Sequence, residues 1–128
     1  KVVLGHLRKI NSIVAVLTDG RSLTQRNKLV ALGLGALPSY ISQEWGSVKP
    51  DTKRFHAIER DHPYKTQFVY VGDNPAKDFI AANKLGWVTI GIKGHWKTVH
   101  SQETACLSDE CLPNIWIDDL TQLLDIIC

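Results

Sequence analysis

A hydroxyl, an ammonium and two carboxylates fall in this chain where α/β proteins keep their reactive groups. Thr18 follows the apolar run Ile13-Val14-Ala15-Val16-Leu17, Asp73 closely follows the run Gln67-Phe68-Val69-Tyr70-Val71, and Lys49 arrives from a loop between them. In an open parallel sheet, ligands bind beyond the carboxyl ends of the strands. There a hydroxyl and the backbone amides after it can take phosphoryl oxygens, and a lysine adds a point charge against developing negative charge. A carboxylate in the same place can hold a hard cation such as magnesium, which prefers oxygen ligands and retains waters. Asp78, five residues after Asp73 and expected in the first turn of the next helix, could ligate that metal, orient Lys49, or simply stabilise the helix.

Each of these residues also has a plainer reading. Asp73-Asn74-Pro75 suits a strand-to-helix turn, with Asn74 as cap and Pro75 as first helical residue. Lys49 on its own reads as a solvated surface lysine, and Asp78 as a helix-start charge. What lifts them above these readings is their occurrence together and in order along one chain.

The elements that must position them are legible from periodicity. Val3, Leu7 and Ile10 share one helix face. The run from Ile13 to Leu17 is short, β-branched and apolar on both faces, as in a buried parallel strand, and ends at Thr18-Asp19-Gly20. Ser22 with Gln25 forms a capping-box pattern, so a helix should run to about Leu32 and stop at Gly33 and Gly35. A short strand is expected near Ser39 to Ser42, then a helix capped by Asp51-Thr52 that carries Phe55 and Ile58 inward and ends near Pro63. After the strand ending at Val71, a helix should use Phe79, Ala82 and Leu85 on one face and end at Gly86. Trp87 to Ile92 reads as a strand, residues 94–113 as a polar irregular loop, Ile115 to Ile117 as a strand, and Leu120 to Ile127 as an amphipathic closing helix. Strands alternating with helices give an α/β fold with a parallel sheet.

Three segments carry a resemblance. Val71-Gly72-Asp73-Asn74-Pro75-Ala76-Lys77-Asp78-Phe79, followed by Ala81-Ala82-Asn83 and Leu85-Gly86-Trp87, resembles the fourth motif of the haloacid dehalogenase (HAD) superfamily. Lys49-Pro50-Asp51 and Phe55 resemble the third motif and its helix; Leu17-Thr18-Asp19-Gly20, Thr24-Gln25 and Lys28-Leu29 resemble the second. The resemblance implies a Rossmann-like, HAD-like parallel sheet with flanking helices and an incomplete core: one partial domain over 1–128 with motifs two to four and the tail, but without the first strand and cap. It implies a phosphatase-like hydrolase cleaving the phosphate ester of a small phosphorylated metabolite with Mg2+, through an aspartyl-phosphate. By the same carry-over, Thr18, Asp19, Gly20 and Lys49 bind phosphate, Thr18 and Lys49 act in catalysis, and Asp73 and Asp78 form the metal pair.

Two departures stand out. The family often has asparagine where Asp19 stands, and a carboxylate beside a phosphate repels it unless the side chain points away. The first motif, an aspartate-x-aspartate at the end of the family's first strand, is missing. Leu17 stands where a decayed copy in Leu17-Thr18-Asp19-Gly20 would need aspartate, and Asp118-Asp119 comes too late in the chain. The chain alone is therefore expected to be inactive. That missing strand lies between the strands ending at Thr18 and Asp73, which must otherwise pair directly, borrow a strand from another copy, or rely on a partner segment; self-association through the incomplete sheet is one expected consequence. The second reading is a non-catalytic HAD-like module that binds phosphate or metal, or serves in assembly. A receiver-like signalling domain, which uses similar residues, does not suit the order threonine, lysine, aspartate.

Bulk properties exclude other classes. Fifteen lysines and arginines against 13 aspartates and glutamates leave a net charge of +2, dispersed along the chain, so no nucleic-acid partner is expected. No apolar stretch approaches the roughly 20 residues that cross a bilayer, so no membrane partner is expected either. The chain opens at Lys1 without an initiator methionine, as a trimmed, processed or naturally fragmentary chain would, and shows no signal-peptide pattern. A cytoplasmic location with Cys106, Cys111 and Cys128 reduced is the expectation. His95, His100, Cys106 and Cys111 match no common zinc spacing.

Overall fold

A computed structural model of the chain describes residues 2–10, 12–49, 51–74, 77–93 and 109–127. Helix α1 (Val2–Lys9) leads into β1 (Val16–Thr18), α2 (Ser22–Ala31), β2 (Ser39–Ile41) and the single turn α3 (Ser42–Trp45). Then follow α4 (Lys53–Asp61), β3 (Val69–Gly72), α5 (Ile80–Lys84), β4 (Val88–Ile92), β5 (Ile115–Ile117) and α6 (Leu123–Ile127), the last preceded by a 3-10 turn over Leu120–Gln122. The expected alternation of strands and helices is what the chain adopts.

All strand pairs among the described residues are parallel, and they form two sheets. β1 pairs with β2, Leu17 opposite Tyr40; β3 pairs with β4, Val71 opposite Ile90; β4 pairs with β5, Ile90 opposite Ile115. Parallel neighbours need long crossovers, and α2 supplies the one between β1 and β2, α5 the one between β3 and β4. β1 and β3 do not pair directly, so of the three arrangements expected for the incomplete sheet this one is excluded among the described residues.

The core follows the alternation of side chains along β3. Tyr70 and Phe68 face a cluster built from Phe55 of α4, Ala81 and Ala82 of α5, and Trp87. Val69 and Val71 face the other side, with Ile90, Ile117, Leu123 of α6 and Val3 of α1. Helices thus cover both faces of the β3-β4-β5 sheet. Leu17 of β1 packs against the first cluster, which ties the two-stranded sheet to the same core. The rings interlock edge-on: Phe55 meets Tyr70 and Trp87, each at 5.3 Å between centroids, and Phe68 stacks on Trp87 at 5.1 Å.

Several local expectations are corrected. Ser22 and Gln25 make no capping box; Arg21 is the N-cap without a side-chain bond, and the Ser22 hydroxyl bonds Glu44 of α3 instead. A tertiary partner outcompeted the local one. Helix α5 begins at Ile80, so Asp78 stands in a turn before it rather than in its first turn. Its side chain caps the chain upstream, as described below. The closing helix is shorter than the leucine stripe, because Asp119 caps a 3-10 turn through a full capping box with Gln122. Cys111 is buried and disulfide-bonded, against the expectation of reduced thiols. That expectation came from an inferred compartment, which says nothing about which sulfurs the fold brings together. The partner sulfur, His95, His100 and most of the loop over 94–113 lie outside the described residues.

Candidate active site

The loops at the carboxyl ends of β1 and β3 meet through charged side chains. Lys49 comes from the segment after α3, and its ammonium donates to Asp78 Oδ1 at 2.8 Å and to the Tyr70 hydroxyl at 3.0 Å. Both ends of the ion pair are buried, the Lys49 and Asp78 side chains being 9% and 6% exposed. Burial penalises the Lys49 ammonium, but Tyr70 and Asp78 beside it more than offset this and raise its pKa above the ordinary lysine value. Lys49 is therefore a fixed positive charge. Burial raises the Tyr70 pKa as well, so its hydroxyl stays a neutral phenol that can accept from Lys49.

Asp78 organises the turn after β3. Its Oδ2 accepts the amides of Asp73 at 3.0 Å and Asn74 at 2.8 Å, while Oδ1 takes Lys49. Gly72 makes room for it: a Cβ there would sit 2.7 Å from Asp78 Oδ2. Of its expected roles, the geometry realises the orientation of Lys49. Asp73 is half-buried directly after β3.

On the β1 side, the Thr18 hydroxyl donates to Gln25 Oε1 at a long 3.3 Å, a weak contact that a phosphoryl oxygen could replace. The Gly20 amide, expected to face a phosphate, donates instead to the buried Ser42 hydroxyl at 2.8 Å. The Asp19 carboxylate points to cations. It pairs with Arg54 and lies 3.7 Å from Lys77 Nζ, and its two oxygens accept the Lys49 backbone amide at 3.4 and 3.2 Å. The repulsion expected from Asp19 is thus answered within the fold.

Fit to magnesium is partial. Both Asp78 oxygens accept from protein donors, and among the described residues no three acidic, histidine or cysteine side chains gather to hold a metal. Asp73 would be the ligand, and the ion's remaining positions would need water or groups from elsewhere.

Sequence reasoning missed Tyr70, Arg54 and Lys77. Tyr70 was read only as part of an apolar strand. Arg54 had a legible signal: it falls one residue before Phe55 and four before Ile58, on the apolar face of α4, where a guanidinium requires a buried partner.

A parallel α/β core, with lysine, threonine and carboxylates at the carboxyl ends of its strands, defines a class: residues 1–92 match the haloacid dehalogenase-like hydrolases, and the chain belongs to that family. Its relatives narrow the comparison. A glyceraldehyde 3-phosphate phosphatase of Methanopyrus kandleri is 32% identical over 97% of this chain and 53% of its own length. A glyceraldehyde 3-phosphate phosphatase of Methanocaldococcus jannaschii is 30% identical over the same shares. The chain spans about half the length of these curated relatives. Among solved structures, a predicted phosphoglycolate phosphatase from Haemophilus somnus superposes with a TM-score of 0.79 at 22% identity, over 99% of this chain and 55% of that one. The HAD-hydrolase YfnB from Bacillus subtilis bound to magnesium gives 0.78 at 21% identity, over 98% and 53%. These likenesses establish the shared fold.

Proposed function

We propose that residues 1–128 form one partial core domain, which carries the phosphate-clamping part of a magnesium-dependent phosphatase acting on a small phosphorylated metabolite. The observation that carries this reading is the buried Lys49 ammonium, held at the strand ends by Asp78 and Tyr70. In the intact enzyme an aspartate attacks phosphorus, the ester oxygen leaves with a proton, and water cleaves the aspartyl-phosphate to release inorganic phosphate. Lys49 stabilises charge on the transferring phosphoryl group, and the Thr18 hydroxyl turns from Gln25 to bind one of its oxygens. Asp73 would hold magnesium, which supplies electrophilic stabilisation when bound. Asp78 supports the site by fixing Lys49. Glyceraldehyde 3-phosphate, the substrate in the relatives' names, is the first ester to test.

The nucleophile is not among these residues, so the chain alone is expected to be inactive. Hydrolysis of an aryl phosphate with magnesium tests this. The chain by itself should show no turnover, and joining it to a segment bearing a strand that ends in aspartate-x-aspartate should produce turnover that Asp73→Asn abolishes. Turnover by the chain alone, lost in Asp73→Asn, would overturn the reading. A second reading, a non-catalytic phosphate-binding or assembly module, draws support from the split sheet, whose edges left unpaired among the described residues favour self-association. A cytoplasmic location belongs to the proposal. Among the described residues, no helix is long and apolar enough to cross a membrane.

A further inference from the structure

Arg54 is fully buried, a placement that a guanidinium tolerates only with strong partners. Its Nη1 donates to the Thr18 carbonyl at 2.8 Å and the Tyr40 carbonyl at 3.1 Å, and its Nη2 pairs with Asp19. Asp19 in turn accepts the backbone amide of Lys49. A chain of contacts therefore runs from α4 through Asp19 to the residue that carries the site's buried ammonium.

We propose that Arg54 is a positioning residue: its buried guanidinium neutralises Asp19 and holds that carboxylate where it anchors the backbone of Lys49. The inference rests on the phosphate-site reading and deepens it. Without Arg54, Asp19 would be an anion beside the Thr18 end of the site, balanced among the described residues by the partly exposed Lys77. Its charge would oppose a phosphoryl group and its grip on the Lys49 amide would loosen. With Arg54, Asp19 becomes a neutralised strut. An asparagine in place of Asp19 could accept the Lys49 amide without bringing a charge, so a partner cation is needed only because aspartate stands there.

A structural alternative is that Arg54 merely ties β1 to β2 through the Thr18 and Tyr40 carbonyls. The two roles respond differently to a second substitution. Removing the charge of Asp19 compensates for the loss of Arg54 in the first case and cannot replace the lost carbonyl bonds in the second. The test compares the chain with Arg54→Met and with Arg54→Met/Asp19→Asn. Amide exchange at Lys49 and titration with inorganic phosphate by NMR provide the readouts.

Arg54→Met should expose the Lys49 amide about tenfold or more and weaken phosphate binding about tenfold, as expected for loss of a charged hydrogen bond. The double variant should recover both to within a few-fold. Unchanged Lys49 exchange in a folded Arg54→Met, or a double variant no better than the single one, would overturn the assignment. If Arg54→Met fails to fold, folding of the double variant supports the assignment and its failure to fold overturns it. Should the unaltered chain bind no phosphate while the exchange pattern follows expectation, the phosphate-site reading fails and Arg54 keeps its structural assignment toward Lys49.

Discussion

At the scale of single residues, the site depends on one ammonium and its two supports. Lys49→Met would leave Asp78 buried without its cation, and removing one member of a buried ion pair costs about 3–5 kcal/mol. Urea denaturation of the variant should show a loss of that order, and a loss near zero would mean that Asp78 does not depend on Lys49. Tyr70→Phe keeps the ring contacts with Phe55 and removes only the bond to Lys49, for an expected loss of about 1.5–3 kcal/mol. Gly72→Ala should destabilise by about 1–3 kcal/mol, because its Cβ meets the Asp78 carboxylate. The titrating groups predict alkaline weakness. Burial first, and then the hydrogen bond to Asp61, push the Tyr40 phenol from 10.0 to about 12. The unfolded chain ionises at Tyr40 first, so this contribution is full below pH 10.0 and is lost as pH rises toward about 12. The raised Lys49 pKa acts in the same direction. Urea midpoints should therefore fall above pH 10.0, less steeply in Tyr40→Phe; a flat profile would contradict the assignment.

At the scale of elements, the contrast lies between β4 and the two strands that face the split. Thr89, Ile90 and Gly91 are buried at the centre of β4, flanked by β3 and β5. β1 and β3 have sequences suited to burial on both faces, yet every residue in them is only half-buried. Each has a pairing partner on one side alone among the described residues. Amides of β1 should therefore exchange at least about tenfold faster than those of Ile90, since local opening follows poor packing and unpaired edges. Equal protection would show that the β1 edge is covered. Much of this was legible beforehand, because β-branched runs, turn glycines and helical stripes are local signals. Helix starts were the least legible. The Ser22 cap failed because Glu44, remote in the chain, took its hydroxyl, and the helix that Asn74 would cap is found from Ile80.

At the scale of the whole molecule, two sheets share one aromatic core and bring three motif segments to a common edge. Thr18, Lys49, Asp73 and Asp78 were legible because each lies in or beside a local strand-end or turn pattern, and of the four the fold joins the side chains of Lys49 and Asp78. The supports of Lys49 and Asp19 were less so, since a tyrosine mid-strand and an arginine inside a helix acquire meaning only when distant segments pack together. The edges of β1 and β3 left unpaired among the described residues also predict association. Sedimentation at rising concentration should show mass above the monomer, and a strict monomer at every concentration would mean that the edges are protected. On the proposed reading, this chain holds a phosphate clamp built on Lys49. Titrating the isotopically labelled chain with inorganic phosphate, while following its amide and Lys49 side-chain resonances by NMR, tests it most directly. Saturable shifts confined to Thr18, Asp19, Lys49 and their neighbours are expected, abolished in Lys49→Met. Absence of shifts there, or shifts that persist in Lys49→Met, would contradict it.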